Sequence, residues 1–179
     1  MPYKRPILYV HRYESPIGGL YLAVDRKGAA VRVGYTDDPE LEDRYHIESN
    51  PYACGELAFQ LDEYFRGDRK RFTVDLVLDG TEFQLSVWNR LLKIPYGSVM
   101  TYGEVAQKVG RRNAARAVGN AVAQNHLPIL VPCHRVLPAS GGIGQYALRS
   151  LSDGSGARTK SVLLELEKRS VEKESDRTA

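Results

Sequence analysis

TYGEVAQKVGRRNAARAVGNAVAQ, residues 101–124, is the stretch on which the reading of the fold turns. Thr101 and Glu104 stand at the spacing of a capping box. The segment that they open, 102–109, ends at Gly110, where a left-handed residue is expected to close a helix. Arg111 and Arg112 lead to Asn113, a good N-cap, and so to a second helix over 114–124. Two short helices joined by a tight Gly-containing turn predict a helix-turn-helix. The second helix is unusually small, with Ala114, Ala115, Ala117, Gly119 and Ala121 in one run. A glycine in a helix interior costs about 1 kcal/mol relative to alanine, so Gly119 implies that something approaches the backbone closely. That partner is either a neighbouring helix or a DNA groove, entered with Arg116 as the one long side chain.

Upstream, Thr81 and Gln84 form another capping-box pair. Behind them Phe83, Val87 and Leu91 make an apolar helical stripe that stops at Ile94-Pro95-Tyr96-Gly97. Before Asp79 and Gly80 the pattern changes character. Segments 7–13, 20–24, 29–35 and 71–78 are rich in β-branched, aromatic and aliphatic residues and are separated by turn residues, as strands are. Between them, 55–65 places Leu57, Leu61, Tyr64 and Phe65 on one helical face, with Gly67 at the expected cap. The predicted class is α+β. A support domain over 1–80, built from a small antiparallel sheet plus a helix, precedes a mostly helical domain over 81–168 that carries the helix-turn-helix. The polar stretch 169–179 is expected to be a disordered tail.

A chain of 179 residues, 42% of them hydrophobic, can bury a core but is long enough for only one or two compact domains. Its formal charge of +3 hides an asymmetry: residues 1–80 carry 11 Lys/Arg against 14 Asp/Glu, while residues 81–168 carry 11 against 5. A basic half beside an acidic half fits a polyanion partner, and equally an uneven scatter of charge on solvated faces. The two cysteines, Cys54 and Cys133, lie in no CxxC or Cys/His ligand pattern, so neither zinc nor a disulfide framework is expected. No apolar run reaches the roughly 18 residues of a membrane span, and the first residues do not read as a secretory signal. A soluble protein of the reducing cell interior, cytoplasmic or nuclear, is expected.

The chemistry concentrates in the second half. The apolar run 127–131 delivers Pro132-Cys133-His134-Arg135-Val136, with Asn125 just upstream. A cysteine next to a histidine can be a nucleophile with its base, because the thiolate attacks and an imidazole can take the proton. Taken without context, a lone Cys-His pair more often holds a buried, inert thiol. Neighbours in an extended strand point to opposite faces, so the chain must turn at His134 for the pair to meet.

The pentapeptide 132–136 resembles the active-site signature of the O6-alkylguanine-DNA alkyltransferases, and its surroundings match in order and spacing. Phe83-Gln84 with Val87-Trp88, then Ile94-Pro95-Tyr96-Gly97, Thr101-Tyr102-Gly103-Glu104 and Ala114-Ala115-Arg116-Ala117-Val118-Gly119 are similar to successive motifs of that family. Asn125 resembles its hinge asparagine, and Leu163-Leu164 with Glu167 its closing helix. The likeness is close over 81–168 and only general before it.

The resemblance implies a DNA repair enzyme, a methylated-DNA–protein-cysteine methyltransferase used once per molecule. It would transfer the alkyl group of O6-alkylguanine, and of O4-alkylthymine, to Cys133. Glu167 would orient His134, which draws the thiol proton through a water, while Tyr102 protonates the leaving purine and Asn125 braces the loop and the thiolate. Arg116 would fill the gap left by a flipped nucleotide, with Ala115, Ala117, Gly119 and Arg135 against double-stranded DNA in the minor groove. The backbone around Cys133 and Val136, with Tyr146 and Ala147 as pocket wall, would hold the base. No cofactor, metal or membrane is implied, and a monomer is expected.

One segment departs from the pattern. After Tyr146 and Ala147 come Leu148 and Arg149 where the family has small residues, and 148–159 is long and polar. This segment is expected to be loosely ordered and to narrow the alkyl pocket. Two other functions stay open at this point: a non-enzymatic binder of alkylated DNA, which would lack the acceptor thiol, and a cysteine hydrolase, which would leave the helix-turn-helix unexplained.

Overall fold

The computed structural model describes residues 5–35, 39–144 and 155–178, and the chain divides into two compact units, Met1–Val77 and Leu78–Ala179. In the first, β1 (Ile7–Ser15), β2 (Gly18–Asp25) and β3 (Ala30–Gly34) form an antiparallel meander. A short helix, α1 (Pro39–Arg44), leads to β4 (His46–Ser49), which pairs with β1 in parallel and completes the order β3-β2-β1-β4. Leu8, Val10, Tyr21, Ala23, Val31 and Leu41 pack as one cluster on this sheet. Helix α2 (Gly55–Arg66) buries Leu57, Leu61 and Tyr64 of the face expected of it, leaves Phe65 partly exposed, and ends on Gly67.

The expected strand over 71–78 is absent. It is reduced to a single bridge between Ala30 and Leu76, held by Ala30 N–H to Asp75 O and Val77 N–H to Ala30 O. Thr73 is instead drawn towards α2, its N–H donating to Gln60 Oε1 at 2.8 Å. Strand β4 has no apolar alternation to announce it, since His46 and Glu48 are polar. Its pairing comes from the backbone of β1.

In the second unit both capping boxes form. Thr81 and Gln84 open α3 (Glu82–Leu91), and Thr101 and Glu104 open α4 (Tyr102–Lys108). Gly110 adopts a φ of 75°, a left-handed conformation that a β-branched residue would resist, and this frees the chain to turn towards α5 (Ala115–Ala123). Asn113 is not the N-cap of α5. Ala114 is, without a side-chain bond, because a backbone turn from Ala114 N–H to Arg111 O already sets the entry. A two-residue parallel pairing of β5 (Met100–Thr101) with β6 (Val136–Leu137) ties the start of α4 to the segment after Cys133.

Helix α6 (Ser155–Thr178) departs from two expectations. Residues 155–159, expected to be loosely ordered, form its first turn. Residues 169–178, expected to be disordered, continue it, supported by i,i+4 pairs between Glu165 and Arg169 and between Lys168 and Glu172. The rest of the 148–159 segment, with Tyr146 and Ala147, lies outside the described residues. No described helix is long and apolar enough to cross a membrane.

Candidate active site

The loop that delivers Cys133 is pinned at several points. Asn125, almost fully buried, donates from Nδ2 to Val131 O at 2.9 Å and accepts at Oδ1 from Leu127 N–H at 3.0 Å. Val131 N–H closes onto Leu127 O, and within this turn Ile129 is held at a φ of 75°. A β-branched residue resists that conformation, which persists because the surrounding bonds and burial over-determine it. The chain then makes a single 3-10 turn over Cys133–Arg135, the turn that the Cys-His pair requires.

Around this turn lies a buried charge network. Cys133 is 1% exposed, and His134 and Glu167 are 0% exposed. His134 Nε2 lies 2.7 Å from Glu167 Oε1. A carboxylate can only accept, so it holds the imidazole proton on Nε2 and makes Nδ1 the basic nitrogen. Arg135 donates from Nε to Glu167 Oε2 at 2.9 Å and from a terminal nitrogen to Oε1 at 3.0 Å, while its other terminal nitrogen reaches Ile94 O at 2.7 Å. Gly97 N–H adds a bond to Glu167 Oε2 at 3.0 Å. Burial alone would raise the Glu167 carboxyl, but the bonds and charges of His134 and Arg135 overcome it and hold it at about 2. Burial also lowers His134, outweighing the Glu167 carboxylate that favours its charged form. His134 is therefore a neutral imidazole at physiological pH, able to accept a proton.

Two further groups feel the charge of Cys133. Lys160 is completely buried, and its Nζ donates to Val136 O at 2.7 Å and sits 5.8 Å from the centre of the Tyr102 ring. Burial pulls Lys160 down to about 8 against the opposing pull of Cys133, so most molecules keep the ammonium at neutral pH. Burial raises Tyr102, and the charge of Cys133 raises it further, so the phenol keeps its proton. Lys160 escapes sequence reasoning because a lysine reads as solvated. Its spacing to Leu163 and Glu167, both buried on α6, is the signal that could have found it.

The small helix presents its other face outward. Ala115, Arg116 and Ala117 are exposed, while Val118, Ala121 and Val122 are buried beneath them. A Cβ added at Gly119 would stand 3.9 Å from Tyr102, an ordinary contact, so packing against Tyr102 does not require glycine there. Arg135 is not on this surface. Expected among the DNA contacts, it is 6% exposed and committed to Glu167 and Ile94 O, because a buried carboxylate needs a charged partner more than the surface needs another cation. Cys54, in the other unit, has its thiol pushed up to about 11 by burial, the state of an inert cysteine.

A family described as the DNA-binding domain of 6-O-methylguanine DNA methyltransferase matches residues 82–169. The methylated-DNA–protein-cysteine methyltransferase of Methanosarcina acetivorans is 42% identical over 160 residues, 89% of this chain and 98% of that protein. The Mycobacterium leprae protein of the same name is 41% identical over 92% of this chain and 95% of its own. Among solved structures, the O6-methylguanine methyltransferase of Mycobacterium tuberculosis superposes with a TM-score of 0.79 at 39% identity, covering 90% of this chain and 93% of that one. A structure of Mycobacterium tuberculosis OGT in complex with DNA superposes with a TM-score of 0.77, also at 39% identity, covering 92% and 94%.

Proposed function

The chain belongs to the methylated-DNA–protein-cysteine methyltransferase family, DNA repair enzymes that move an alkyl group from DNA to one of their own cysteines, and on that premise we propose that its acceptor is Cys133. The observation that carries this is the placement of Cys133 on a pinned turn beside a neutral His134 whose proton position Glu167 fixes. His134 Nδ1 takes the thiol proton through a water, and the Lys160 ammonium stabilises the resulting thiolate. The thiolate displaces O6 of guanine from the alkyl carbon: a C–S bond forms, the C–O bond breaks, and Tyr102 protonates the departing purine. The thioether has no route back to a thiol, so each molecule acts once. O4-alkylthymine offers the same bond to the same nucleophile.

The outward face of α5 enters the minor groove of double-stranded DNA as a monomer, Ala115, Ala117 and Gly119 permitting close approach while Arg116 takes the place of the flipped base. Val136 O keeps a second lone pair beside the one used by Lys160, so it can read the exocyclic amine of the extruded guanine. The chemistry needs no cofactor, since the alkyl carbon is activated by its bond to the purine. Such a protein works where DNA is held, in the cytoplasm of a cell without a nucleus or in the nucleus of one that has it.

A duplex carrying a radiolabelled methyl on guanine O6 tests the assignment. The parent protein should take up label and Cys133→Ala should take up none while binding the duplex with nearly the same affinity, because phosphate contacts dominate it. Label transferred to Cys133→Ala would remove Cys133 from the role.

A further inference from the structure

Helix α6 runs beyond residue 169, where the family match ends, to Thr178. Its first residues beyond the match, Ser170 and Val171, meet one turn. Gly97 has a φ of 73°, and a Cβ placed on it would lie 2.8 Å from Val171 Cγ2, closer than real Cβ atoms come. Glycine thus lets the helix seat Val171 directly on the turn. The Ser170 side chain interacts with the Tyr96 hydroxyl, and the Arg135 guanidinium carbon lies 5.6 Å from the centre of the same Tyr96 ring. The N–H of Gly97 is the backbone donor to Glu167 Oε2. Residues 170–171, the turn 96–97, Arg135 and Glu167 therefore form one packed stack that leads to His134.

We propose that Ser170 and Val171, in the first turn of this extension, form a strap that clamps the Tyr96–Gly97 turn against the Glu167 carboxylate and keeps bulk solvent from the His134–Glu167 pair, which makes the start of this extension a positioning element for alkyl transfer. The inference rests on His134 being the base. The charged groups facing His134 are Glu167, Arg135 and Lys160, and on the strap side Glu174 acts on Tyr96. Burial is the largest influence on the imidazole and depresses it. Loosening the strap admits water, so the His134 midpoint rises towards its ordinary value of about 6.5.

Three variants of the full protein test this: a chain ended after Arg169, Val171→Ser, and the conservative Val171→Ile. The His134 titration is read by NMR, and single-turnover transfer from a methylated duplex is read between pH 5.5 and 8. The truncated chain and Val171→Ser should raise the midpoint. With a midpoint near 6.5 they should transfer about fourfold more slowly at pH 6 but only about 1.3-fold more slowly at pH 7. Val171→Ile should match the parent in both readouts, and duplex affinity should not move. An unmoved midpoint, or the same fractional loss at every pH, would overturn the strap, since a generally weakened fold lowers the rate without regard to pH. If the truncated chain is partly unfolded, Val171→Ser decides by the same readouts. If the parent transfers nothing, the reading of the active site fails by itself, and the NMR midpoint still decides whether the strap dries His134.

Discussion

Lys160 sits in this site with its charge buried and its ammonium hydrogen-bonded to the Val136 carbonyl. A buried ammonium is costly to keep, which is why its proton is held only to about pH 8. Replacing it with methionine removes that cost together with the bond to Val136 O, two effects of opposite sign, so the melting temperature should change by no more than a few degrees. Transfer should fall by about tenfold or more, because the thiolate loses the cation beside it. The parent should also lose rate as pH rises through about 8, and Lys160→Met should lack that limb. A Lys160→Met protein that transfers at the parental rate would remove Lys160 from the chemistry. Arg135 teaches the complementary lesson. It lies in the basic half and is expected against DNA until its partner is known, and that partner, Glu167, is 32 residues away in sequence. Local pattern does not carry such a pairing.

At the scale of elements, the helix-turn-helix was legible because capping boxes and a Gly terminus are local chemistry, and α4 forms between the residues that announce it. Its second helix was legible in kind but not in its cap, since a backbone turn replaced the Asn113 side chain. Strand β4 and the collapse of 71–78 to one bridge were illegible, because each depends on which sheet edge is free and not on apolar alternation. Arg116 on exposed α5 gives the test for this scale. Arg116→Ala should slow transfer from a methylated duplex by about 10- to 100-fold, the few kcal/mol needed to hold a base out of the stack. Transfer from the free base should change by less than about twofold. Equal losses on both substrates would mean that Arg116 supports the fold or the pocket and not extrusion.

For the whole molecule, the buried network links activity to stability through pH. His134 is depressed in the folded state, so below its ordinary midpoint the unfolded chain binds the extra proton and stability starts to fall. Glu167 is also depressed, to about 2, so its contribution is complete above about 4.5 and is lost as pH falls through the folded value. Both act in the same direction. Urea midpoints should therefore decline gently below about pH 6.5 and more steeply below about 4.5. Glu167→Gln should flatten the lower step while destabilising the protein at pH 7 by about 3–5 kcal/mol, because Arg135 is then buried without its counter-charge. A Glu167→Gln protein as stable as the parent at pH 7 would contradict this account of the network.

Transfer to Cys133 leaves the alkyl group on one sulfur atom, and mass spectrometry reads it directly. After excess O6-methylguanine duplex is mixed with the protein, the intact mass should rise by one methyl in place of one hydrogen and then stop, however much substrate remains. Trypsin places Cys133 in the peptide 117–135 and Cys54 in the peptide 45–66. The added mass should lie wholly on 117–135, at its cysteine. An increase on 45–66, an unmodified protein with demethylated DNA, or continued turnover would each contradict single-use transfer to Cys133.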